Sequence, residues 1–149
     1  MDKVFCLIFV IMGGIALAIQ SPVNAGLGKR VGSLAGGLLS FIGGVLVLLV
    51  LVLVFGKGNL MAFTQVPKWQ LIGGFLGVIA VMSVIVATPH LGVGVVLVGI
   101  LLGQVVMGVV IDHFGLFRSP VVPLSPLRIG GVIFIIIGVV MVFKSKIGG

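Results

Sequence analysis

The sequence predicts an all-α integral membrane protein of five transmembrane helices, and three observations carry that reading. Hydrophobic residues make up 60% of the 149 positions and charged residues only 7%, so the charged surface of a soluble domain cannot be assembled. The uncharged residues fall into four long runs, 4–28, 31–56, 69–111 and 129–143, separated by short basic or mixed stretches. A helix needs ~20 apolar residues at ~1.5 Å each to cross the hydrocarbon core, so the long third run holds two spans.

The first helix is expected at about 4–27. It ends in A-I-Q-S-P-V-N-A-G-L-G-K-R, which admits two readings. Val23-Asn24-Ala25 resembles the small-residue end of a signal peptide behind Lys3. Against cleavage, the apolar stretch from Val4 to Ile19 is longer than the ~7–15 residues of a signal core. Retention of the helix is the preferred reading, and a four-span product of cleavage is the alternative. Cys6 has no disulfide partner within the chain.

In the retained helix Gln20 and Asn24 are four residues apart and share a face, with the helix-kinking Pro22 between them. Proline has no N–H to give to the carbonyl four residues back, so backbone polarity is freed there too. Polar groups at membrane depth are costly unless they meet protein or a watery cavity. This face is therefore expected to point inward, as helix-to-helix glue or as a binding surface.

The second helix, about 32–55, carries Ser33, Gly36, Gly37, Ser40, Gly43 and Gly44. The third, about 70–89, has Gly73 and Gly77; the fourth, about 92–111, has Gly99 and Gly103. Small residues four apart let helices approach closely where no hydrophobic effect drives them together. Thr88-Pro89-His90-Leu91-Gly92 is the expected turn between helices three and four. The fifth helix, about 128–145, is short in uncharged residues, and Arg128, Lys144 and Lys146 extend it by snorkelling.

Gln104 is the remaining deep polar side chain. It lies seven residues before Ile111, as Gln20 lies seven before Leu27, so each is expected ~10 Å from opposite membrane faces. In an antiparallel pair of chains, Gln20 of one copy and Gln104 of the other would stand at one level. Asp112 and His113 close the fourth helix, and Asp112 and Asp2 are the only acidic residues. Asp112 is read as a boundary residue or a partner for Arg118 or Arg128, with coupling or gating as the functional alternative. No His, Cys or carboxylate spacing suggests a metal or cofactor, and no catalytic arrangement is visible.

Five spans put the termini on opposite sides. The N-terminal face then carries Lys3, Lys57, Lys68, Arg118 and Arg128, and the other face Lys29, Arg30, Lys144 and Lys146. Such near balance points to insertion in both orientations, the alternative being one orientation set by Lys3 or by Lys29-Arg30. The net charge of +7 sits at span ends, where anionic headgroups satisfy it, and calls for no nucleic acid.

The order G-G-I-A-L-A-I-Q-S-P-V-N-A-G-L-G-K-R, V-P-K-W-Q-L-I-G-G, T-P-H-L-G and G-Q-x7-D-H-F-G-L resembles the short YdcZ-like family of the drug/metabolite transporter superfamily, from about residue 10 to residue 143. The resemblance implies a bacterial inner-membrane half-transporter that works as an antiparallel homodimer or with an oppositely oriented paralogue. The matched motif positions Gln20, Pro22, Asn24, Gln104, Asp112 and His113 are its candidate residues. The related small multidrug resistance transporters use a membrane-embedded glutamate, and this chain has no Glu.

The resulting expectation is alternating access in an inverted pair, with Gln20, Asn24 and Gln104 receiving a small polar or weakly cationic solute. A non-transporting scaffold or accessory subunit of a membrane complex is the rival reading.

Overall fold

The computed structural model describes residues 3–147, and Asp2 lies outside them. Among the described residues five helices are long and apolar enough to cross a membrane. They are α1 (Lys3–Val31), α2 (Ser33–Phe55), α3 (Gly73–Leu91), α4 (Val93–Phe114) and α5 (Pro126–Ile147). The chain divides into two compact units, Met1–His90 and Leu91–Gly149.

In the first unit α1 continues unbroken through Pro22, because a membrane helix is tolerant of one lost hydrogen bond when neighbouring groups are close at hand. The segment Val23–Ala25 lies within this helix, with Asn24 and Ala25 buried. Only Gly32 separates α1 from α2. Its φ of 92° and ψ of 145° belong to a region that a Cβ forbids, which is what allows so abrupt a reversal.

Beyond Gly32 the two helices meet through their smallest residues. Asn24 faces Ser40, and Gly36 lies over Gly28 so closely that a Cβ on Gly36 would stand 2.9 Å from the Gly28 Cα. Each pair is equidistant in sequence from Gly32, so the hairpin is antiparallel with a register fixed by its turn. α3 joins this hairpin at Ile85, whose Cγ2 occupies the space a Gly28 Cβ would need, and at Met82, which fills the same role over Gly37.

Between α2 and α3 the chain makes two short 3-10 turns, Leu60–Gln65 and Lys68–Ile72. Asn59 starts the first by accepting the Met61 N–H at 3.0 Å. α3 does not stop at the expected Thr88–Pro89 turn but runs on to Leu91. Proline so near a C-terminus removes one final-turn bond only, and it is Gly92, at φ 79°, that ends the helical path.

In the second unit α4 ends on Gly115, whose left-handed conformation lets its N–H reach the Ile111 carbonyl. The left-handed path persists through Phe117 and Arg118, at φ 56° and 66°. Pro126 then opens α5 at the position where a missing N–H costs nothing, and the Ser125 hydroxyl accepts the Arg128 N–H.

Burial is inverted relative to a soluble protein. Apolar side chains of every helix face outward, as lipid-solvated groups should, while the buried set of the first unit is Ser21, Asn24, Ala25, Gly28, Gly36, Gly37, Ile85 and Thr88. With hydrocarbon outside, close backbone contact and buried hydrogen bonds hold the unit together, and apolar burial contributes little.

Candidate functional site

Of the polar residues of α1, Ser21 and Asn24 are buried in the hairpin interior, whereas Gln20, one turn before Asn24 and expected inward with it, is exposed. Ser21 and Thr88 share a buried hydroxyl-to-hydroxyl bond of 2.9 Å, tying α1 to α3. Three residues on, the Ser40 hydroxyl donates to the Asn24 Oδ1 at 3.1 Å. Asn24 is only 5% exposed, yet its Nδ2 has no hydrogen-bond partner. Such an orphan donor costs about 1–3 kcal/mol, so it marks a place where structure alone does not explain the residue.

One helical turn further from Gly32, the hairpin opens into a recess of about 230 Å³. Gln20 and Ser40 are its polar lining, Gly44 leaves the room, and Phe41, Val45, Leu48 and Val81 form the apolar wall. Gln20, Asn24 and their α2 counterparts Gly44 and Ser40 thus form one continuous seam. A mostly apolar wall with two or three placed amides and hydroxyls is the usual makeup of a small-molecule pocket. Ser40 is the seam residue that reading the sequence for polar side chains passed over. Its distance from Gly32, equal to that of Asn24, is the signal that finds it.

Gln104 lies in the second unit, exposed on α4, two residues before Val106, the first lining residue of a shallow apolar recess that Val109, Val110, Leu124 and residues of α5 complete. Its position gives it no contact with that recess.

Asp112 and His113 organise the connection from α4 to α5. Arg128 donates to Asp112 Oδ2 at 2.8 Å and, through its other nitrogen, to the Val122 carbonyl at 3.3 Å. Ser119 reaches Asp112 Oδ1 at 3.5 Å, and the Val122 N–H bonds to the Asp112 carbonyl at 2.8 Å. The Leu124 N–H donates to His113 Nδ1 at 3.4 Å, which places that ring's proton on Nε2. Of the two expected partners, Arg128 is the one that pairs with Asp112. Both side chains of the pair remain about one-third exposed, at 34% and 32%, so the pair fixes the loop more than it stabilises the fold.

Among the described residues no three His, Cys, Asp or Glu side chains gather as a metal site. A family model described as "Putative inner membrane exporter, YdcZ" matches residues 5–141. No curated protein and no solved structure matches the chain.

Proposed function

The chain belongs to the family described as "Putative inner membrane exporter, YdcZ", and from that premise we propose that it is one half of a small-solute transporter of the drug/metabolite type, working by alternating access in an inverted-topology dimer. The whole chain acts as a single transmembrane domain in a bacterial cytoplasmic membrane. Its partner is a second, oppositely inserted copy or an oppositely oriented paralogue. Gln20 and Asn24 of one half and Gln104 of the other receive the solute.

The observation that carries the reading is the polar seam and its recess in the first unit, where, among the described residues, Ser21, Asn24 and Thr88 are the buried polar side chains. Support for the inverted pair comes from the odd number of spans and the near-equal basic residues on the two faces. Asp112 and His113 act at a gate: both are engaged by the α4–α5 connection, so a shift of α5 is felt there first.

Orientation is the test. The chain expressed alone carries a C-terminal reporter active only in the cytoplasm, in parallel with one active only outside. Signal from both is expected. Signal from one alone overturns the homodimer and directs the search to a partner chain. Replacing Gln20, Asn24 and Gln104 by Leu is expected to leave assembly intact and abolish flux, whereas a scaffold would keep its phenotype.

A further inference from the structure

The recess in the first unit is chemically specific about what it can hold. No ionisable side chain lines it, and its polar atoms are Gln20 and Ser40. Ser40 spends its only hydrogen on Asn24 Oδ1, so toward the recess its oxygen is an acceptor. The same Asn24 carboxamide carries the buried Nδ2 that lacks an acceptor. Toward the recess the lining therefore calls for one acceptor, for the Gln20 N–H, and one donor, for the Ser40 oxygen, while the Asn24 Nδ2 is buried outside that lining.

A hydroxyl supplies both: its oxygen accepts from an amide N–H while its hydrogen goes to the Ser40 oxygen, and a primary amide does the same with its two ends. A carboxylate has no hydrogen for Ser40, and an ammonium has no lone pair for the Gln20 N–H. Either charge would also enter a low-dielectric recess without a counter-charge.

We propose that this recess binds an uncharged, hydroxyl- or amide-bearing solute, that Ser40 is a binding residue beside Gln20, and that Asn24 positions Ser40. The proposal rests on the transporter reading and narrows its substrate class, which on composition alone extended to weak cations. Formal charge, and not size, is the property the recess rejects.

The test uses the full chain in proteoliposomes, with Cys6→Ser as background and single cysteines introduced by Ser40→Cys, by Leu38→Cys on the lipid-facing side of α2, and by Asn59→Cys in the exposed loop. Each is treated with methanethiosulfonates bearing a neutral hydroxyethyl, a cationic trimethylammonium-ethyl or an anionic sulfonatoethyl group. Rates are read by mass and normalised to Asn59→Cys.

At Ser40→Cys the neutral reagent is expected to react at least about tenfold faster than either charged one, because an unpartnered charge at membrane depth is disfavoured by more than that factor. It is also expected to outrun its own rate at Leu38→Cys, and in a Val45→Cys chain, which lines the recess and keeps the Ser40 hydroxyl, glycerol at molar concentration should slow the neutral reagent without slowing it at Leu38→Cys. Equal rates for the cationic and neutral reagents would overturn the assignment of an uncharged solute. Rates at Ser40→Cys as low as at Leu38→Cys with every reagent would mean that lipid fills the recess, and would overturn it as well. Absence of glycerol protection would remove the hydroxyl requirement. None of these outcomes depends on solute flux, whose survival in the Leu variants of Gln20, Asn24 and Gln104 would overturn the transporter reading separately.

Discussion

Gly36→Ala is the sharpest test of how the hairpin is held. The added Cβ would stand 2.9 Å from the Gly28 Cα and 3.0 Å from its nitrogen, both backbone atoms that no rotamer change can move. Ordinary carbon contacts lie at ~3.5–4.0 Å, so α1 and α2 must separate by about 1 Å. One turn away, the Ser40–Asn24 bond is 3.1 Å long and does not survive that separation. Overpacking costs about 1–3 kcal/mol and the lost bond about 0.5–1.5, which together come to about 1.5–4.5 kcal/mol. Reversible unfolding in mixed micelles, followed by circular dichroism, measures this directly. Gly43→Ala is the control, since nothing lies within 4 Å of a Cβ at Gly43. Unfolding of Gly36→Ala at the same denaturant fraction as wild type and Gly43→Ala would refute the close-approach argument.

Two further outcomes follow from the same contacts. Asn24→Leu removes an orphan donor together with its one bond, and Ser40 can turn to a carbonyl of its own helix, so stability is expected to stay within ~1 kcal/mol of wild type while flux in proteoliposomes is lost; large destabilisation would make Asn24 a structural residue only. Arg128→Met breaks the bonds to Asp112 and Val122 and is expected to cost ~1 kcal/mol, with faster hydrogen–deuterium exchange over 115–125 and unchanged exchange in α1 and α2. Unaltered exchange over that loop would sink its role as a clasp.

The five spans are legible in the sequence because charge is so rare that each basic cluster marks an end. What escapes is whatever depends on a single backbone angle or on pairing across a turn. Pro89 reads as a break, yet its missing N–H matters little so close to the end of α3, and Gly92 makes the turn instead. Asp112 has two arginines within reach along the chain, and only the left-handed path through Gly115, Phe117 and Arg118 brings Arg128 to it. Gln20 and Asn24 are found by their polarity at depth, but Ser40 hides among glycines and leucines until the Gly32 turn is placed and the two helices are counted outward from it.

That counting has a consequence for how the hairpin can change. Because the partners at 28 and 36, 24 and 40, and 20 and 44 are all matched across one residue, the segment behaves like a message with a fixed reading frame. A single-residue insertion or deletion in either arm turns everything beyond it by about 100°. It would swing the amide and hydroxyl side chains out among the acyl chains and bring leucines to the seam. For the hairpin, tags, linkers and fused domains therefore belong at the arms' outer ends and in the 56–68 connection, where an added residue leaves the paired positions in register.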